Sequence, residues 1–325
     1  MIIPPRIQLA RLPTPLVPLD RLSAELGGPR IWLKRDDLTE TAASGNKIRK
    51  LEFSLAAARE ASADVLITCG GIQSNHCRAT ALLARQLGFE VHLLLRGTRP
   101  DQADGNLLLD ELLGATITFA TREEYADLPA LVARTEQAWI EAGRKPFFIP
   151  TGASDEIGLW GYITATSELK QDFLDRGINP EAVVSATGSG GTLGGLIIGR
   201  QLAEVDTRMM AFNVCDDEAY FITKIREDLQ RWQARYDHQL DDANLDINVI
   251  DGYVGPGYGR ADKQVFKTIR RLAITEGIIL DPVYTGKAFD ALLTEISAGR
   301  FRGAADIVFI HTGGIFGLFP QRNQF

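Results

Sequence analysis

Short apolar runs alternate with longer amphipathic stretches along most of this chain. Val65-Leu66-Ile67-Thr68, Val91-His92-Leu93-Leu94-Leu95, Thr116-Ile117-Thr118-Phe119, Pro146-Phe147-Phe148-Ile149, Ala182-Val183-Val184-Ser185-Ala186 and Ile307-Val308-Phe309-Ile310 read as strands. Several are apolar at consecutive positions, the pattern of strands covered on both faces. Ile31-Trp32-Leu33-Lys34 and residues 209–214 read as two more. Between the strands, apolar residues recur at three- and four-residue spacing and predict helices near 77–87, 106–113, 128–142, 162–175, 193–203, 263–276 and 289–298. Such alternation means parallel sheet with crossover helices. Residues 1–30 read as irregular, because Pro13, Pro15 and Pro18 block a long helix. The exception is a short helix over 20–26 that Gly27-Gly28 ends. Residues 217–245 predict two charged helices around a turn. Residues 251–260 predict a glycine-rich loop with two tyrosines, and Ile278-Ile279-Leu280 reads as strand-like.

One helix begins within Ser44-Gly45-Asn46-Lys47-Ile48-Arg49-Lys50-Leu51-Glu52. Ile48, Leu51, Leu55 and Ala58 form its apolar stripe, and Lys47 lies at its start on the flank of that stripe. A lysine drawn toward a buried site loses hydration and its pKa falls, which makes it a nucleophile or Schiff-base former. The same pattern also suits a surface lysine with its stem along the core edge.

The chain has 325 residues, enough for two compact domains or one large α/β unit. Its net charge of −7 argues against a nucleic-acid surface. No stretch approaches the roughly 18 apolar residues of a membrane span, and the first residues do not read as a signal peptide. Three cysteines, Cys69, Cys77 and Cys215, give no disulfide framework and suit a reducing compartment. Cys69, His76 and Cys77 lack zinc spacing, so no metal is expected.

Candidate chemistry gathers where strands feed loops. Thr187-Gly188-Ser189-Gly190-Gly191-Thr192 leaves a strand and opens a helix, so its backbone N–H groups can receive an anion. No lysine follows in the position of a nucleotide-triphosphate loop. Gly188, Gly190 and Asp216 or Asp217 partly match a dinucleotide fingerprint, but its third glycine falls on Leu193. A plain tight turn is the other reading. In Gln73-Ser74-Asn75-His76, Gln73 and Ser74 suit a carboxylate and Asn75 a phenolate-like oxygen. Ser74 or Asn75 also suits a simple helix cap. Tyr258 and Tyr284 are hydroxyls on glycine-flanked loops, suited to acid–base work or to packing. His311-Thr312-Gly313-Gly314 closes the last strand, and its glycine pair suits close approach to another backbone or a ligand.

Taken with Leu33-Lys34-Arg35-Asp36-Asp37 and Leu280-Asp281-Pro282-Val283-Tyr284-Thr285-Gly286-Lys287, these motifs resemble the fold-type II pyridoxal-phosphate enzymes over nearly the whole chain. Within them the likeness is to the D-cysteine desulfhydrase and aminocyclopropane-carboxylate deaminase family. The resemblance implies an α/β fold of two open, twisted, mostly parallel sheets flanked by helices. A large domain would combine residues 1–50 with about 156–325, and a smaller one would span 51–155. The cofactor would lie between them as an imine on Lys47. Asn75 would bind the ring hydroxyl oxygen. Gly188, Ser189, Gly190, Gly191 and Thr192 would bind the phosphate, with Thr187 and Thr312 also at the cofactor. Gln73 and Ser74 would face the substrate carboxylate, and Tyr258 and Tyr284 the reacting carbons and leaving group.

The deaminase pattern has Glu where this chain has Thr285, at the pyridine nitrogen. A hydroxyl there leaves the nitrogen neutral and the electron sink weaker, which suits β-elimination better than ring opening. Ser44 also stands where the family often has glycine, and the tail 315–325 is unfamiliar in a place where tails can line the substrate pocket. The expected activity is a carbon–sulfur lyase of amino-acid metabolism. It would convert D-cysteine to pyruvate, ammonia and sulfide in a cytoplasmic homodimer. Another β-substituted alanine (L-cysteate, 3-chloro-D-alanine or diaminopropionate), then 1-aminocyclopropane-1-carboxylate, are the alternative substrates. A nicotinamide-dependent oxidoreductase on Gly188 and Asp216, or a non-catalytic amino-acid-binding protein, are readings of a different class.

Overall fold

Among the described residues, ten strands form two separate sheets, joined by the chain passing twice between them. The computed structural model describes residues 2–241 and 245–325. The larger sheet has the order β1-β2-β10-β7-β8-β9. Its strands are β1 (Leu16–Pro18), β2 (Arg30–Lys34), β7 (Ala182–Thr187), β8 (Arg208–Asn213), β9 (Asn248–Ile250) and β10 (Asp306–Ile310). Only β1 runs antiparallel to its neighbour. The smaller sheet has the order β5-β4-β3-β6 and is fully parallel. It contains β3 (Val65–Gly71), β4 (Glu90–Arg96), β5 (Thr116–Ala120) and β6 (Pro146–Ile149).

Both sheets are covered on both faces, which explains the continuous apolar runs of their central strands. One face of the larger sheet packs on α7 (Trp160–Arg176), α8 (Gly191–Leu202) and α9 (Glu218–Tyr236). The other carries α1 (Asp20–Leu26), α10 (Lys263–Glu276) and α11 (Thr285–Ser297). In the smaller sheet, α2 (Asn46–Glu60) and α3 (Asn75–Leu87) cover one face, and α6 (Leu128–Glu141) the other. Between them in sequence lie α4 (Gly105–Leu112) and the short α5 (Arg122–Ala126).

Four local expectations change. Residues 217–245 hold one helix, α9, which Asp237 ends at φ 47°; residues 242–244 of that expectation lie outside the described residues. Ile278-Ile279-Leu280 belongs to no strand, because it only leads into α11. The edge strands β1 and β9 do form, each three residues long. Both are too short to show an alternating pattern, and Pro18 closes β1 at an edge where a missing N–H costs little.

Beneath α2 runs a buried charge network. Arg49 donates to Asp36 at 2.8 and 2.9 Å and to Glu168 at 2.9 and 3.0 Å. Lys34 pairs with Glu168 at 2.6 Å and Asp172 at 2.5 Å. Tyr162 adds its hydroxyl to Asp36 at 2.5 Å. These bonds tie α2 to the larger sheet through α7, and so fix the helix end that carries Lys47.

Candidate active site

A cavity of about 550 Å³ opens between the two sheets. Loops at the carboxyl ends of β3, β4, β7 and β10 supply much of its wall, where ligands of open parallel sheets bind. Lys47, Ser74, Asn75, Thr187, Gly188, Ser189, Gly190, Thr192, Tyr258, Tyr284 and Thr312 all line it. Gly45 sets the entry of α2, with φ 109° and a backbone so close that a Cβ would fall 2.4 Å from the Thr312 carbonyl oxygen.

Lys47 opens onto the cavity from the first turn of α2. Its Nζ donates to Asn46 Oδ1 at 2.9 Å and sits 5.9 Å from the centre of the Tyr284 ring. Burial first, then the Arg78 guanidinium, brings its pKa down to about 8 against the opposing pull of Asp281. The amine is therefore substantially neutral just above physiological pH. Asn46 passes the connection on, donating through Nδ2 to Thr192 Oγ1 at 3.0 Å.

The loop after β7 forms a cup at the N-terminus of α8. Among the described residues, the backbone N–H groups of Gly188, Ser189 and Thr192 find no acceptor in the protein. Thr187 Oγ1 accepts the Gly190 N–H at 3.2 Å and holds the loop closed. Behind the cup stand two lysines the sequence reading missed. Lys50, fully buried, donates to Ser154 Oγ at 3.2 Å, and that hydroxyl lies 2.8 Å from Ser189 Oγ. Lys224 donates to the Ser154 carbonyl at 3.2 Å. Free N–H groups, a helix N-terminus and nearby lysines fit a phosphate.

Ser74 caps α3, accepting the Cys77 N–H at 3.2 Å, while still facing the cavity. Asn75 is oriented through its carbonyl oxygen, which accepts from Arg78 at 3.3 Å and Asn106 at 3.2 Å. Its amide nitrogen has no partner among the described residues and is left as a donor at the wall. His76 stays neutral, because burial and the charges of Lys47 and Lys50 oppose its protonation. Tyr258 and Tyr284 share a short hydroxyl–hydroxyl bond, with rings edge to face at 5.9 Å. Burial pushes Tyr258 up to about 12 and Tyr284 well above its ordinary value, so both remain protonated. Lys287 donates to the carbonyls of Val254 at 2.7 Å and Gly257 at 2.9 Å, and thereby anchors the Tyr258 loop to α11.

Three expected site residues do not reach the cavity. Gln73 turns away: its amide donates to the Asp104 carbonyl at 2.9 Å and accepts the Asn106 N–H at 2.9 Å, capping α4. Gly191 is covered by Ser154, to which its N–H donates at 3.2 Å. Thr285 is fully buried in the first turn of α11. Its hydroxyl donates to Asp281 Oδ1 at 2.7 Å and accepts the Asp281 N–H at 2.9 Å, so its one proton is committed. The tail 315–325 does not line the cavity either. Phe316 packs over Arg78 at 4.8 Å, Gln321 donates to the Gly259 carbonyl at 3.2 Å, and Arg322 pairs with Asp104.

An activated lysine, an anion cup at a helix N-terminus and an oriented amide donor on one cavity wall define an aldehyde-cofactor site between two α/β sheets. The chain belongs to the pyridoxal-phosphate dependent enzyme family, whose pattern matches residues 7–313, and pyridoxal phosphate is its cofactor. It is 38% identical over 326 residues to the mitochondrial bifunctional D-cysteine desulfhydrase/1-aminocyclopropane-1-carboxylate deaminase of Arabidopsis thaliana, covering 97% of this chain and 80% of that protein. It is 39% identical over 322 residues to a D-cysteine desulfhydrase of Salmonella newport, covering 97% and 95%. A solved ACC deaminase homologue superposes with a TM-score of 0.89 at 34% identity, covering 98% and 95%. A fungal L-serine ammonia-lyase from Rhizomucor miehei shares the fold, with a TM-score of 0.70 at 18% identity. Family membership replaces the nicotinamide and non-catalytic binding readings.

Proposed function

We propose that the chain eliminates the β-substituent of a small amino acid, with D-cysteine as the first substrate and pyruvate, ammonia and sulfide as products. The observation that carries this is the facing of Lys47 and the Tyr258–Tyr284 pair in one cavity. Lys47 would be the covalent attachment point, Asn75 would hold the ring hydroxyl oxygen, and the free N–H groups of Gly188, Ser189 and Thr192 would hold the phosphate, with Thr187 and Thr312 beside it. Bound pyridoxal phosphate draws electron density from the substrate Cα and acidifies its proton. Lys47, neutral above about pH 8, then takes that proton. Ser74 and the N-terminus of α3 hold the substrate carboxylate. The Cβ–S bond breaks with its electron pair on sulfur, and the protonated tyrosine pair supplies a proton to the departing sulfide. Water hydrolyses the released enamine to pyruvate and ammonia.

The relatives' names keep a second substrate in view, since one of them pairs desulfhydrase with deaminase activity. Purified enzyme given D-cysteine, L-cysteine, L-cysteate and 1-aminocyclopropane-1-carboxylate should release pyruvate fastest from D-cysteine. Faster 2-oxobutyrate from the cyclopropane substrate would replace the desulfhydrase reading. Lys47→Ala should abolish both the bound-cofactor absorbance and turnover. The division into a large domain (1–50 and 156–325) and a small one (51–155) is part of the same reading, with the cavity between them. So is a cytoplasmic homodimer, which light scattering of the purified protein tests. Among the described residues no helix is long and apolar enough to cross a membrane.

A further inference from the structure

At the end of the cavity marked by Tyr258 stands a cation that the proposed chemistry leaves unused. Arg96 is the last residue of β4 and lies in register with Gly71 of β3. It lines the cavity, is exposed, and forms no ion pair or side-chain hydrogen bond among the described residues. Lys47 and Lys224, which line the same cavity, are both engaged, with Asn46 and Asp228 respectively. What holds Arg96 is aromatic. Its guanidinium sits 5.4 Å from the centre of the Tyr125 ring and 5.7 Å from that of Tyr258. Cation–π contact fixes the planar group while leaving its N–H groups free.

Its neighbours place it relative to the reaction. Gly71 has no side chain to separate β3 from Tyr258: a Cβ there would lie 3.3 Å from the Tyr258 ring. Tyr258 bonds Tyr284, and Tyr284 faces Lys47. Contacts thus run from the reacting amine through Tyr284 and Tyr258 to Arg96. A substrate with Cα at Lys47 and its β-substituent at the tyrosines points that substituent toward Arg96. Asp216 also lines the cavity, beside Cys215, but forms no ion pair with Arg96.

We propose that Arg96 is a specificity residue that recognises negative charge on the substrate's β-substituent. This rests on the β-elimination reading above and adds to D-cysteine a class of substrates with anionic β-substituents. A guanidinium edge receives two oxygens of a sulfonate, sulfinate or carboxylate side by side. A side chain bearing an ammonium, as in 2,3-diaminopropionate, meets repulsion there, and an uncharged cyclopropane ring gains nothing. With a sulfonate the step balances without any added oxidant. The Cα proton goes to Lys47, the Cβ–S bond breaks with its pair on sulfur, sulfite leaves, and water converts the enamine to pyruvate and ammonia.

The test compares wild-type, Arg96→Gln and Arg96→Lys holoenzymes on both enantiomers of cysteate and on 3-chloroalanine, a neutral substrate of the same reaction. The expected result is a fall of at least tenfold in the cysteate-to-chloroalanine ratio of kcat/KM in Arg96→Gln. The loss should sit mainly in KM, and Arg96→Lys should recover part of it. An unchanged ratio overturns the proposal. Calorimetric titration of the same holoenzymes with inorganic sulfate separates this proposal from the reading beneath it. At least tenfold weaker sulfate binding in Arg96→Gln supports the anion site whatever the enzyme turns over, and equal or absent binding in the wild type overturns it. Release of pyruvate from none of the alanines, with sulfate binding still dependent on Arg96, would instead overturn the β-elimination reading.

Discussion

Lys47 carries its reactivity in its surroundings. Its pKa near 8 follows from burial and from Arg78, so the attacking amine becomes available as pH rises through about 8. Stopped-flow absorbance of cofactor uptake by the apoprotein should show a rate that climbs toward a plateau with that midpoint. Arg78→Gln should move the midpoint upward, because one of the charges opposing the ammonium is gone. Tyr258→Phe breaks the bond to Tyr284 and should lower kcat about 10²-fold or more, a size typical of a lost general acid. Quenched-assay kcat checks this, and cofactor absorbance should be retained. The placing of Lys47, Ser74, Asn75, Thr187, Gly188, Ser189, Gly190 and Thr192 on one cavity wall was legible because each sits near glycine or a cap at a strand–helix junction. Gln73 and Thr285 lie off that wall because other partners take the same polar atoms. Gln73 caps α4, which lies 33 residues further along the chain, and Thr285 bonds Asp281, four residues before it. Lys50 and Lys224 were illegible for the opposite reason, since their common partner, Ser154, is brought to them only by the fold.

At the scale of elements, α2 depends on the charges beneath it. Burial opposes the ionisation of Glu168, but Arg49 and Lys34 hold its carboxyl down to about 2. A depressed carboxyl contributes stability that is present above its unfolded pKa and is lost as pH falls toward the folded one. That difference corresponds to about 3 kcal/mol. Glu168→Gln should therefore be less stable than wild type at pH 7, and the gap should narrow as pH falls from about 4.5 toward 2. Urea denaturation across that range measures it. Lys287 acts on a second element: Lys287→Met releases the carbonyls of Val254 and Gly257 and frees the Tyr258 loop. Its kcat should fall several-fold with cofactor absorbance intact. The long parallel strands and their crossover helices were readable from periodicity alone. The edge strands β1 and β9 were not, because three residues carry no period and their identity comes from the neighbour they pair with.

For the whole molecule, the cover on both faces of the sheets was readable from runs without polar alternation, whereas their division into two came from the family resemblance. Which strand lies beside which was not readable, and it has a consequence for biosynthesis. Strand β2, at residues 30–34, takes β1 on one side and β10, at 306–310, on the other. On the ribosome, the first-made part of the larger sheet is exported long before the strand that joins it to β7 has been translated. The smaller sheet uses only residues 65–149, so all its partners emerge together. Nascent chains should thus acquire a protected core in the middle of the sequence first, with β2 left as an open edge until β10 has been translated.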